Sequence, residues 1–359
     1  MAGGAGIAGL AGCLGNTDGG SGGSGNNGSS SANESNTTEG GGNGPTTIRY
    51  AGVSGAELND LMAMFNQAPY IKENVFEHNG EKYEFELVEV QSTPVAVSTI
   101  GSKEADAGLL AYSSLATAIQ EETIPSGPTI IAPLTYDGPR YADTYDSKTD
   151  SGINEVSDMA GKSLGVNGIG SAIDIAARVV LTRNDINLNE VQFREVSFGA
   201  MSTTLEEDRV NVGTFIQPFY QMNMDDVRVV FETTDAFGSF LKIFITVRND
   251  FLSKNGEAIR AWMEDYWRGI KWWRDAANEK KRLDIAEQVL GLPRDLLSEL
   301  VQTKQGYYHG EEGLRINPEW IQKPVDGMRE VDFLDSEIEM SQYIDNAYLP
   351  EGANTEPEI

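Results

Sequence analysis

The chain reads as an α/β protein of two lobes, each a mostly parallel sheet flanked by helices. Three observations predict this. Short apolar strands alternate with helical patterns that open on serine or threonine, the order expected of parallel sheets. Roughly 310 residues follow a low-complexity N-terminal stretch, more than one ordinary small core accommodates. The alternation also runs twice, with the polar stretch Asp137–Asn154 between the two series.

In the first series Ile48–Ala51 is a strand. Leu58, Leu61, Met62 and Phe65 then stand at i, i+3, i+4 and i+7, one face of a helix. Ser54 and Glu57 supply a capping box at its start. A strand at Tyr83–Val90 leads to Thr93 as an N-cap with Pro94 at the first helical position. The strand Ala107–Ala111 leads to a further serine-capped helix near Ser113.

The second series opens with the strand Ser163–Val166. Ser171 starts a helix with Ile173, Ala176, Ala177, Val180 and Leu181 on one face. Strands at Val191–Val196, Val210–Ile216 and Val227–Phe231 follow, with a short helix at Ala200–Glu207. Leu241–Val247 fits a strand that crosses back to the first lobe. The remainder is helical, and Ile259, Trp262, Met263, Tyr266, Ile270 and Trp273 within Glu257–Asn278 form a core stripe. There is no internal repeat. The predicted bounds are 46–131 plus 242–350 for the first lobe and 132–241 for the second. Residues 351–359 are expected to be a disordered tail.

Ahead of the folded body, Leu10-Ala11-Gly12-Cys13 holds the only cysteine of 359 residues. A thiol closing a small apolar segment suits a lipid-modified surface protein, with 1–13 as a partial lipoprotein signal. The bland alternative is an incidental cysteine in a Gly/Ala-rich end. A secretory signal carries a basic n-region, which Met1-Ala2-Gly3-Gly4 lacks, so the true start is expected upstream, with arginines. Residues 14–45 form a Gly/Ser/Asn tether with too little apolar content to order itself. About thirty such residues reach roughly 30 Å. Asn27-Gly28-Ser29, Asn33-Glu34-Ser35 and Asn36-Thr37-Thr38 are glycosylation sequons.

The net charge is −28, from 55 acidic against 27 basic residues. This excludes the basic footprint of a nucleic-acid binder. So many carboxylates repel one another unless salt screens them, and at about 1 M the Debye length is about 3 Å. The acidity therefore fits adaptation to molar salt. No Asp-x-Asp-x-Asp-Gly loop suggests calcium, and no His/Cys cluster has metal-ligand spacing. Catalytic constellations are poor. The two histidines, His78 and His309, lie in a polar loop and in the helical tail. No Walker loop or cofactor motif is present. No cofactor and no metal are expected.

In open α/β sheets ligands bind beyond the carboxyl ends of the strands. Here that edge carries Ser54, Gln91-Ser92-Thr93, Tyr112-Ser113-Ser114 and Gly168-Ile169-Gly170-Ser171. Hydroxyls and free amides at helix starts suit an anion, each terminus contributing about 0.3–1 kcal/mol. The competing explanation is plain capping, since Ser171 and Asp174 can satisfy each other.

Val156-Ser157-Asp158-Met159-Ala160-Gly161-Lys162-Ser163-Leu164-Gly165-Val166, with Gly170-Ser171 after it, resembles the second-lobe opening of ABC-transporter solute-binding proteins. The nearest group is the nitrate/sulfonate/taurine binders, thiamine-pyrimidine-precursor binders included. Thr204–Phe219 is similar to that group's "ALxxGxVDA…xxP" block, with Asn211 for Asp and Asp208 for Gly. Gly101–Gly108 is similar to its first-lobe "sG.aDig". The tail from Phe251 to Pro350 also fits, so the resemblance covers nearly all of 46–350.

The resemblance implies a periplasmic-binding-protein-like fold of type II that closes on a hinge. Its implied role is capture of a small anion or heterocycle between the lobes and delivery to an ABC permease with its ATPase. Carried over by position, the ligand contacts are Ser54, Ser92, Thr93, Tyr112, Ser113, Tyr136, Gly170, Ser171 and Gln217. The implied partners are that small molecule, the permease and ATPase, and, through lipid on Cys13, the outer face of the cell membrane. The chain is expected to act as a monomer. No arginine or lysine stands at an evident ligand loop, and Tyr112, Tyr136 and Phe215 leave an aromatic ligand open. An enzyme on the same fold, of the pyrimidine-synthase kind, needs a site rich in cysteine and bearing histidine, which a body without cysteine does not offer. A ligand-sensing ectodomain needs a downstream membrane helix, and none precedes Ile359.

Overall fold

The computed structural model describes residues 44–302 and 313–357. Cys13, residues 14–43 of the tether with its sequons, and His309 lie outside the described residues.

The first sheet starts with β1 (Thr46–Val53). A one-turn 3-10 segment leads into α1 (Leu61–Gln67), followed by α2 (Pro69–Asn74) and β2 (Tyr83–Val90). Asp60, not Ser54, caps α1, its carboxylate accepting from the Ala63 amide at 3.0 Å. The expected Ser54–Glu57 capping box is therefore displaced: three residues of 3-10 helix intervene and move the true helix start downstream.

Next come α3 (Thr93–Gly101), β3 (Ala107–Ala111) and α4 (Tyr112–Gln120). Ser92 occupies the N-cap of α3, one residue before the expected Thr93, because Thr93 is already helical. Ala111 holds that place in α4, where a serine cap was expected. All five residues of β3 are buried, as a strand covered on both faces requires.

β4 (Pro128–Asp137) completes the outgoing part of this sheet, and β5 (Thr144–Lys148) opens the other. The polar stretch 137–154 thus contains a strand that hydropathy alone did not reveal. The second series continues through β6 (Ser163–Val166), α5 (Ala172–Arg183), β7 (Gln192–Glu195), α6 (Phe198–Glu206) and β8 (Val212–Phe215). Then follow α7 (Phe219–Asn223), β9 (Val227–Glu232), α8 (Thr234–Phe237) and the returning β10 (Phe240–Arg248).

The chain ends in α9 (Asn249–Leu252), α10 (Gly256–Arg274), α11 (Glu279–Leu290), α12 (Arg294–Gln302) and α13 (Glu319–Glu330). The predicted stripe of α10 is core: Ile259, Trp262, Met263, Tyr266, Ile270 and Trp273 are all buried. That helix stops at Arg274, because the Asp275 carboxylate accepts from the Ala277 amide and starts a separate 3-10 turn.

Two five-stranded sheets result, in the orders β2-β1-β3-β10-β4 and β7-β6-β8-β5-β9. In each, four strands run one way and one runs against them. β10 is antiparallel to β3 and β4, and β5 is antiparallel to β8 and β9. The expected α/β class holds, with two mostly parallel sheets that each carry one antiparallel strand.

β10 lies wholly in the first sheet, and all nine of its residues are buried. The chain crosses between sheets twice, at 138–143 and 233–239. The expected divisions at 131/132 and 241/242 therefore fall inside β4 and β10. The tail is ordered as far as residue 357: Leu314 donates to the Ala353 carbonyl at 2.7 Å and Arg315 to that of Thr355 at 3.0 Å, correcting the expected disorder. No helix among the described residues is long and apolar enough to cross a membrane.

Candidate functional site

The carboxyl ends of β1, β3, β6 and β8 face one another, and the segments that follow them close around a cavity of about 50 Å³. The first sheet and its loops contribute Val53, Ala56, Asn59, Thr93, Leu109 and Ala111, and Lys242 and Ile243 come from β10. The second contributes Asn167, Ser171, Ala172, Ile173, Phe198 and Ile216, with Asp143 from the first crossing. The walls are mostly apolar, with six polar side chains set into them, the composition usual for a small-molecule site.

The lobes touch around this cavity. The Tyr112 hydroxyl donates to the Ala172 carbonyl at 2.9 Å, joining the start of α4 to the start of α5. A Cβ on Gly168 would lie 3.4 Å from the Ser92 Cβ, and one on Gly55 would lie 3.9 Å from the Phe219 ring. The starts of α3, α4 and α5 converge here, where the lobes meet.

Below the cavity lies a buried ionic cluster. The Lys242 ammonium stands 2.7 Å from Asp137 Oδ1 and 2.6 Å from Asp143 Oδ2, and all three side chains are at most 5 % exposed. Burying charge is costly unless each group is paired and hydrogen-bonded, and the surroundings meet that condition. Tyr141 donates its hydroxyl to Asp143 Oδ1 at 2.7 Å, and Thr233 donates to Asp137 Oδ2.

Burial raises the Asp137 carboxyl to about 6, against the opposing pull of Lys242. Burial also pushes the Tyr112 and Tyr141 hydroxyls well above their usual range. Because Asp137 ends β4, Asp143 ends the first crossing, Thr233 begins the second and Lys242 sits on β10, the cluster fastens both crossings between the sheets.

The start of α5 is served from within. Ser171 Oγ accepts from the Asp174 amide at 3.3 Å, and the Asp174 carboxylate accepts from the Gly170 amide at 2.8 Å. The Arg178 Nε donates to Asp174 at 2.9 Å, and its guanidinium lies 3.8 Å from the centre of the Phe193 ring. Gly170 has φ of +80°, the left-handed region that glycine adopts without strain.

Of the residues expected to bind ligand, Thr93 and Ser171 line the cavity. Thr93 Oγ1 also shares a 2.6 Å hydrogen bond with Ser114 Oγ. Ser54, Ser92, Tyr112, Ser113, Tyr136, Gly170 and Gln217 are absent from the lining. Ser54 is exposed in a turn, its amide donating to the Val90 carbonyl. Tyr136 packs edge-on against Trp320, ring centres 5.4 Å apart. Ser113 Oγ and Gln217 Oε1 are buried without a hydrogen-bond partner.

The sequence reading missed Lys242, Asp143, Asn59, Asn167 and Phe198. A usable signal existed for the first: Lys242 is the one charged residue inside the otherwise apolar run Phe240–Ile245. His78 pairs with Glu264 at 2.7 Å, on the outer side of the first lobe.

Comparison with known proteins agrees with this geometry. A family profile described as "NMT1/THI5 like" matches residues 140–279. No curated protein matches the chain by sequence. Among solved structures it resembles the periplasmic aliphatic sulphonate binding protein SsuA from Escherichia coli, with a TM-score of 0.64 at 15% identity, over 85% of this chain and 99% of that one. It also resembles the periplasmic nitrate-binding protein NrtA from Synechocystis PCC 6803, with a TM-score of 0.66 at 10% identity, over 85% and 87%.

A third neighbour is the Candida albicans CA3427 gene product, described as showing the generic periplasmic binding protein fold. Its TM-score is 0.63 at 12% identity, over 87% of this chain and 98% of that one. The chain has the periplasmic-binding-protein fold.

Proposed function

We propose that this chain is the solute-binding component of an ABC importer, taking up one small molecule between its lobes and releasing it to a permease. The observation that carries the reading is the cavity at the carboxyl ends of strands from both sheets, bridged by the Tyr112–Ala172 hydrogen bond. A site divided between two lobes binds by closing and releases by opening. The likeness of fold to sulphonate- and nitrate-binding proteins supports the same role.

The lining favours holding over transforming. No histidine stands in it among the described residues, Thr93 pairs with Ser114, and Ser171 Oγ accepts from its own helix. Cys13 and the tether fit a lipid anchor on the outer face of the membrane. The carboxylate excess fits molar salt, in the manner of halophilic archaea. The protein acts as a monomer in this reading, since closure needs no second copy.

Screening small solutes by thermal shift in molar KCl tests the proposal. A bound solute at 100 times its Kd adds about 2.7 kcal/mol of stability. Conversion of the solute to a product would replace the binding role with an enzymatic one.

A further inference from the structure

We infer that the cleft selects a small solute rich in N–H donors, neutral or cationic, over an oxyanion; this rests on the solute-binding reading above. The charge balance comes first. Among the described residues Lys242 is the only cation in the cavity lining, and its ammonium is already held by Asp137 and Asp143 at 2.7 and 2.6 Å. One positive group against two carboxylates leaves no net attraction for an anion placed beside Asp143. One ammonium proton remains, enough for a single acceptor atom on the same solute.

The helix start argues the same way. The N-terminus of α5 is where an oxyanion would ordinarily sit, but the protein has put its own carboxylate there. Asp174 takes the Gly170 amide at 2.8 Å and also binds the Arg178 Nε at 2.9 Å. An anion brought to this terminus would therefore meet the Asp174 carboxylate already seated beside it.

Two unpaired acceptors complete the pattern. Asn167 lines the cavity and its Oδ1 is buried without a partner. Gln217, beside the lining residue Ile216, likewise holds a buried Oε1 without one. A buried acceptor left unmade is costly, so a ligand that donates to it gains that cost back. Asp143 accepts one bond at each oxygen, from Tyr141 and Lys242, and has lone pairs to spare. At about 50 Å³, several times the volume one water needs, the cavity suits a solute of a few non-hydrogen atoms.

The test is calorimetric titration of the full chain at pH 7.5, in chloride buffer of fixed ionic strength. The probes are methylguanidinium chloride, acetamide, sodium nitrate and sodium methanesulfonate. At least one donor probe is expected to bind ten times or more tightly than either oxyanion. Asn167→Leu should weaken that binding tenfold or more with the melting temperature unchanged. Tighter binding of nitrate or methanesulfonate would overturn the inference and leave the solute-binding reading intact. So would donor binding that Asn167→Leu does not alter, or no binding of either donor probe. The solute-binding reading fails separately, if a native small-molecule extract also leaves both the melting temperature and the radius of gyration unmoved.

Discussion

Replacing Lys242 with methionine keeps the length of the side chain and removes its charge from a position 2.7 and 2.6 Å from two buried carboxylates. Removing one partner of a buried ion pair costs about 3–5 kcal/mol, because the abandoned charge stays desolvated. Here two charges are abandoned at once, and the protein can relieve the strain by protonating one of them. Asp137 already titrates near 6 with Lys242 present. Without it the folded-state value rises further, while the unfolded value stays near the ordinary 3.9.

A carboxyl raised in the folded state holds its proton more tightly there than in the unfolded chain. Stability then falls as pH rises, by about 1.4 kcal/mol per pH unit for one proton, until the folded-state value is passed. The wild type completes this decline near pH 6, whereas Lys242→Met continues it. The gap between them should widen by about 2–3 kcal/mol from pH 5.5 to pH 8. Urea unfolding followed by tryptophan fluorescence at both pH values measures it. A gap below about 1 kcal/mol at both pH values, or a larger one at pH 5.5, would refute the reasoning.

Asp146 is buried on β5, its Oδ1 has no partner, and burial raises its carboxyl to about 7. Its contribution to stability therefore declines from about pH 4 to pH 7, by roughly 4 kcal/mol at most. Asp146→Asn should flatten that slope and be the more stable form at pH 8; an unchanged pH profile would contradict the assignment. Tyr112→Phe removes the hydroxyl that reaches Ala172 across the lobes. The lost bond, worth about 1 kcal/mol, should weaken solute binding about fivefold, and equal affinity in titration would show that it does not support closure. Ser171→Glu sets a carboxylate in the lining and removes a cap worth about 1 kcal/mol. It should abolish solute binding while circular dichroism stays native, and unchanged affinity would take Ser171 out of the site.

What the sequence revealed and what it concealed divide along physical lines. β3, α5 and the stripe of α10 were legible because burial repeats along each element with the period of its own geometry. Ser171 was legible as a cap because a serine three residues ahead of Asp174 is a local signal. β5 was hidden because Tyr145 is the one large apolar residue of Thr144–Lys148, and Asp146 and Ser147 are buried polar groups. The capping positions near Ser54, Thr93 and Ser113 differ because a 3-10 turn, or a helix entered directly from a strand, shifts the start by one to several residues.

The ionic cluster was concealed for another reason. Asp137, Asp143 and Lys242 span 105 positions of sequence and meet only because β10 returns between β3 and β4. A reading of local pattern assigns the two aspartates to a linker and the lysine to a strand. Only the threading of that strand into the first sheet brings them to the floor of the cavity.

The most direct test of the account is a crystal structure of the chain grown with the solute that raises its melting temperature most. The account predicts that solute whole, enclosed between the lobes and in contact with Thr93, Asn167 and Ser171. Density for it on an outer face, or for a chemically altered product in the cleft, would contradict it.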